Sequence, residues 1–243
     1  MIVHWSDLHV GARDVRDEAI ARLVTHLLSW CEPEVTLLVI TGDLTEDTRP
    51  REWARLRALL MPAVSAGVRL ACVPGNHDTA RWGIGRVTAE HRARMDEHLG
   101  DLMAWHAPRW PRQTVAPDGG RVVGLDSTEG QEGELHAPLA RGELGRMQLA
   151  RLAALGLGVR DVVLLHHHPW WGDAAHALED ADQARLLLSR AGLVLYGHQH
   201  VRYDALHGRA RCIASCSTAR TGLYRVWSWG LDGWGSVELM AWG

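Results

Sequence analysis

Hydrophobic positions along the chain follow two periods. Short, almost wholly apolar runs recur at 2–5, 35–40, 69–73, 121–125, 161–165 and 193–196. Runs of that length and character predict strands buried on both faces. Between them lie segments with helical spacing. Ile20, Leu23, Val24, Leu27 and Leu28 share one face, and Pro33 breaks the run. Trp53, Leu56, Leu59 and Leu60 do the same within 51–60, Leu144, Met147, Leu152 and Leu155 within 142–155, and a further helix is expected over 182–190. Strand then helix, repeated, predicts a mostly parallel sheet. After Tyr196 the pattern turns to alternation over 209–215, 223–229 and 236–242, which predicts antiparallel strands closing a second sheet. Residues from about 82 to 120 break the rhythm, with one expected helix over 88–102 and then Pro108, Pro111 and Pro117. That stretch is expected to form a lid or insertion within a single domain spanning 1–243.

The apolar runs end in polar residues. Trp5 leads to Ser6-Asp7-Leu8-His9, Ile40 to Thr41-Gly42-Asp43, and Val73 to Pro74-Gly75-Asn76-His77-Asp78. Leu165 leads to His166-His167-His168-Pro169, and Tyr196 to Gly197-His198-Gln199-His200. Parallel sheets bind ligands at the carboxyl edge of their strands, so packing the strands would gather these groups. Taken singly, each block has an ordinary reading: Ser6-Asp7 as a helix cap, Asn76-His77-Asp78 as a polar turn. Jointly they offer carboxylate, amide and imidazole donors without a thiolate. That set suits divalent Mn, Fe or Zn and argues against a structural cysteine–zinc site. Even seven of these donors are too many for one tetrahedral ion, but seven match two ions sharing a carboxylate, an arrangement that clamps a phosphoryl group and activates water.

Composition narrows the function classes. Apolar residues make up 47% and charged residues 23%, as in a globular protein. No apolar run approaches the roughly 18 residues of a membrane span. No basic or apolar leader precedes the first strand, so a signal peptide is not expected and the cytoplasm is the expected location. The formal charge is −3, every one of the 26 cationic residues is arginine, and none form a dense track, so nucleic acid has no support as a partner. Cys31, Cys72, Cys212 and Cys216 show no paired spacing and are expected to be reduced and buried. Trp82, Trp105 and Trp110 either stack on a substrate base or pack, and packing is the commoner fate of tryptophan. Arg81, Arg202 and Trp171 adjoin the blocks and could line a mouth. Eight histidines outside the blocks, among them His4, His136 and His176, have no ligand spacing. The Trp-rich C-terminal strands permit a homodimer.

Together the five blocks resemble the signature of the calcineurin-like metallophosphoesterases, from Asp7 to His200. Within that superfamily the chain is most similar to the bacterial class III cyclic-nucleotide phosphodiesterases, through Leu125-Asp126-Ser127, Gly142-Glu143-Leu144 with Gln148-Leu149, the triple histidine before Pro169, and Ala214-Ser215-Cys216-Ser217-Thr218. The resemblance implies a four-layer α/β/β/α sandwich of two mixed sheets flanked by helices. It implies that Asp7, His9, Asp43 and His200 hold one metal, and that Asp43 bridges to a second held by Asn76, His167 and His198. His167 is selected by the family spacing of ligand, one residue, proline; strand alternation turns His166 to the opposite face. His77 would contact the phosphate and protonate the leaving oxygen, with Asp78 orienting it. The expected activity is hydrolysis of a small phosphodiester such as a 3',5'-cyclic nucleotide. A phosphomonoesterase, a nucleotide pyrophosphatase, a nuclease or a non-catalytic relative would share the same blocks.

Overall fold

A computed structural model describes residues 1–131, 140–170 and 176–242. Strand β1 (Ile2–Trp5) leads into helix α1 (Asp17–Trp30), β2 (Leu37–Thr41), α2 (Pro50–Ser65) and β3 (Arg69–Val73). A single turn, α3 (Asn76–Thr79), and α4 (Ala89–Leu99) precede β4 (Arg112–Val115) and β5 (Arg121–Gly124). Then come α5 (Arg146–Leu155), β6 (Val162–Leu164), α6 (Ala181–Leu188), β7 (Leu193–Tyr196), β8 (Tyr203–His207) and β9 (Ala210–Ala214). A short α7 (Thr218–Thr221) and the hairpin β10 (Leu223–Gly230) and β11 (Gly233–Met240) end the chain.

The strands form two mixed sheets, ordered β11-β10-β1-β2-β3 and β4-β5-β6-β7-β9-β8. Helices α1 and α2 bury Ile20, Leu23, Leu27, Trp53, Leu56 and Leu60 in one core with the first sheet. Helices α5 and α6 bury Leu149, Leu152, Ala184 and Leu188 against the outer face of the second. Two sheets within two helical layers are the architecture expected from the sequence. Strand period does the sorting: in β6, Val162 and Leu164 join the core shared with the first sheet, whereas Val163 and the following Leu165 join the outer one. No helix among the described residues is long and apolar enough to cross a membrane.

Several boundaries differ from the sequence pattern. The C-terminal strands do not close one second sheet: β9 pairs parallel with β7, while β10 pairs antiparallel with β1 and carries β11 on the first sheet. Alternation reveals an exposed face but not the partner strand. Helix α5 starts at Arg146 rather than 142, because Leu144 and Gly145 donate to the Asp180 carboxylate and Glu143 to the Ser127 carbonyl. Helix α2 runs on to Ser65 through Pro62, which sits on an exposed face where water can satisfy the carbonyl it leaves unpaired. Within 82–120, β4 is an edge strand paired with β5, and Ala104 N–H and Trp105 Nε1 donate to carbonyls of β3. Those residues close the side of the sandwich. The turn around Arg81–Gly83 lies beside the strand ends.

Candidate metal centre

All five polar blocks meet at the C-terminal ends of β1, β2 and β3 of one sheet and β6 and β7 of the other. The backbone turns sharply there. Asp7, His9, Asp43, His198 and His200 all have positive φ, between 46° and 77°, a region few residues with a side chain adopt. Gly42 (φ 87°) completes the second turn, and a Cβ on it would lie 2.4 Å from His166 Nδ1. A close approach of the two sheets thus requires glycine at that point.

One group of donors is Asp7, His9 and His200. His200 Nε2 is 3.3 Å from Asp7 Oδ1 and 3.0 Å from His9 Nε2. The other gathers around His166, whose Nε2 is 3.1 Å from Asn76 Oδ1 and 3.3 Å from Asp43 Oδ1. Ring nitrogens of His166, His167 and His198 lie within 4.8 Å of one another. Asp43 joins the groups: its Oδ2 is 3.6 Å from His9 Nε2 while its Oδ1 faces His166. Both nitrogens of His198 are buried and make no hydrogen bond among the described residues. Buried imidazole nitrogens left without partners, and imidazoles packed ring to ring around two buried carboxylates, are what a cation would satisfy. The residues fit divalent metal ions.

For three of the imidazoles, supporting contacts engage one ring nitrogen and leave the other toward the site. His9 Nδ1 is held by Glu46 at 2.9 Å, His166 Nδ1 by the Thr41 carbonyl at 2.8 Å, and His167 Nδ1 by Ser127 Oγ at 2.7 Å. Such partners fix the tautomer and the ring plane. Asp7 is held by Ser6 Oγ at 2.5 Å and the His198 N–H at 3.1 Å, and Ser6 in turn accepts from Thr41 Oγ1. His4 Nε2, 2.9 Å from that hydroxyl, ends the chain.

Two expectations need correction. His166 does lie on the strand face opposite His167, but its face looks onto the first sheet, where Asp43 and Asn76 are. The parity read from sequence holds, and the inference that His166 leaves the site does not. Asp78 does not orient His77. Its carboxylate accepts from the N–H groups of Leu44, Thr45 and Gly75 and from Thr45 Oγ1, tying the β2 turn to the β3 turn. His77 Nδ1 instead meets the Glu46 carbonyl at 2.7 Å, and its main-chain N–H donates to Asp43 Oδ1 at 3.0 Å. Sequence reasoning also passed over Glu46, three residues beyond Asp43, and His176, whose ring centroid is 5.5 Å from that of His198. Nothing but proximity in space identifies either. His136 and Trp171 lie outside the described residues.

Burial disfavours charge on His77 and His166, but neighbouring carboxylates outweigh it. Asp43, with the Glu46 carbonyl and carboxylate, lifts His77 above the ordinary imidazole value. Asp43 and Asp7 lift His166 to about 9. In the metal-free fold the His166 imidazolium therefore contributes its full stability below 6.5, and that contribution is lost as pH rises through about 9. A cation entering beside Asp43 must displace this proton. Titrating Mn²⁺ into chelator-treated protein at about pH 7.5 should release on the order of one proton, read as a dependence of the calorimetric enthalpy on the buffer's ionisation heat. Affinity should rise with pH until His166 is neutral. A buffer-independent enthalpy would contradict the assignment.

The chain belongs to the calcineurin-like phosphoesterase family, whose model matches residues 1–202. It is 29% identical over 222 residues to a cAMP/cGMP dual specificity phosphodiesterase of Mycobacterium tuberculosis, covering 84% of this chain and 63% of that protein. It therefore spans less than two thirds of that relative's length. It is 28% identical over 232 residues to the 3',5'-cyclic adenosine monophosphate phosphodiesterase CpdA of Pseudomonas aeruginosa, covering 90% of this chain and 76% of that one. Solved structures share the fold at much lower identity. The calcineurin-like phosphoesterase YfkN of Bacillus subtilis superposes with a TM-score of 0.52 at 12% identity over 99% of this chain and 90% of that one. GAP50, the anchor in the inner membrane complex of Plasmodium, gives 0.61 at 10% over 99% and 84%.

Proposed function

We propose that the chain is a two-metal phosphodiesterase acting on a small diester such as a 3',5'-cyclic nucleotide. One observation carries the reading: Asp43 lies between the two donor groups with one oxygen toward each, a position from which a carboxylate can be shared by two ions. Asp7, His9 and His200 would hold one ion with Asp43. Asn76, His198 and His166 would hold the other, with His167 alongside from the opposite strand face. The oxygen and imidazole donors suit Mn, Fe or Zn. Ions held there would neutralise charge on the phosphoryl oxygens and activate water as nucleophile.

The chain's own residues do the rest. His77, with Nδ1 fixed on the Glu46 carbonyl, presents Nε2 toward the reacting phosphate. Burial opposes its charged form, but its carboxylate neighbours outweigh that and favour the imidazolium, which supplies the proton that the leaving oxygen takes as the P–O bond breaks. Asp78 keeps the turns carrying Asp43 and His77 in register. The two relatives named as cyclic-nucleotide phosphodiesterases support the choice of a diester. The test compares bis-(p-nitrophenyl) phosphate with p-nitrophenyl phosphate in Mn²⁺ and after chelation. Metal-dependent cleavage faster on the diester is expected. Faster monoester hydrolysis would make the protein a phosphatase, and turnover indifferent to chelation would end the two-metal reading.

A further inference from the structure

The three tryptophans of 82–120 have different fates. Trp110 is buried, and its ring sits 6.2 Å from that of Trp105, whose Nε1 donates to Cys72 O. Trp82 is 59% exposed. Its backbone is left-handed (φ 54°, ψ 22°), a conformation that bulky residues rarely adopt unless their surroundings impose it. The surroundings here are the metal centre. Trp82 N–H donates to buried Asp47 at 3.0 Å, next in the chain to Glu46, whose carbonyl fixes His77. On the other side, Gly83 O accepts from Asn76 Nδ2 at 3.0 Å, and a Cβ on Gly83 would lie 2.5 Å from the His77 ring. The turn is thus fastened at both ends to residues of the site, yet leaves its largest side chain in solvent. The Arg81 guanidinium lies 5.0 Å from the Trp82 ring centroid and covers one side of it. Among the described residues Trp82 belongs to neither hydrophobic core.

We propose that Trp82 is the platform on which the planar base of a cyclic nucleotide stacks, beside His77. The inference rests on the phosphodiesterase reading and narrows it to substrates carrying an aromatic base. Stacking of this kind uses the π-face common to all bases, so adenine and guanine are both accepted. Arg81, against one face of the indole, adds positive charge beside the platform.

The experiment measures kcat/KM for cyclic AMP, cyclic GMP and base-free ribose 3',5'-cyclic phosphate in wild type, Trp82→Gly and Trp82→Phe. Glycine suits the left-handed backbone and removes the ring, while phenylalanine keeps an aromatic face. Trp82→Gly should lower the ratio of cyclic-nucleotide to base-free kcat/KM about 10-fold or more, through KM, and Trp82→Phe should restore most of it. An unchanged ratio, with wild-type turnover of cyclic nucleotides intact, would overturn the platform and leave the phosphodiesterase standing. Wild type that cleaves bis-(p-nitrophenyl) phosphate but no cyclic nucleotide would overturn the platform and leave a phosphodiesterase of another substrate, whereas wild type that cleaves neither diester would remove both.

Discussion

Replacing His77 with alanine is expected to lower kcat for a 3',5'-cyclic nucleotide by about 10²–10⁴-fold, the usual contribution of a positioned general acid. The loss should depend on the leaving group. A sugar alkoxide cannot depart without a proton, whereas p-nitrophenolate leaves nearly unaided, so bis-(p-nitrophenyl) phosphate should suffer far less. Metal content should stay as in wild type. Although a ring nitrogen of His77 lies near His9 and Glu46, its Nδ1 is engaged by the Glu46 carbonyl and its main chain by Asp43. Equal losses on both substrates, or loss of bound metal, would reassign His77 from proton donor to ligand.

The second large effect is at Asp43. Asparagine has the same size, but it cannot neutralise a cation on either side, and its amide would put a donor where His9 or His166 now faces an oxygen. Asp43→Asn should carry well under two ions per chain and lose several kcal/mol of charge stabilisation, about 10³-fold or more in kcat/KM. His166→Ala should follow it in direction, with one of the two donor groups spared. Metal analysis beside diester kinetics reads both. A variant that keeps two ions and near wild-type turnover would mean that Asp43 does not bridge.

Much of this site was legible because chemistry and punctuation coincide in the sequence. Gly42-Asp43, Gly75-Asn76-His77 and Gly197-His198 each follow an apolar run, and a carboxyl-edge site needs donors at such places. The failures have one physical source. Period two tells which residues share a face of β6, but both faces are buried, so the pattern does not say which one looks toward the other sheet. His166 was misplaced for that reason. Asp78 follows His77 directly in the chain, yet its carboxylate turns back to the β2 loop, because three main-chain N–H groups at the turns need an acceptor. Strands β4 and β8 were invisible for another reason: both are edge strands, Arg112-Gln113-Thr114-Val115 with a single apolar residue and Tyr203-Asp204-Ala205-Leu206-His207 without a regular apolar alternation to announce it.

Five donor residues sit on left-handed backbone, and each such residue costs up to about 1–3 kcal/mol, least for aspartate and histidine. Five together are a sizeable fraction of the roughly 5–15 kcal/mol that separates a folded domain from its unfolded chain. Glycine at any of these positions would relieve the conformation while deleting a proposed ligand. Folding and chemistry therefore pull in opposite directions at the same five residues. Selection for thermal robustness alone, in a laboratory or in a lineage released from its substrate, would erase the metal centre before it touched the sheets that hold it.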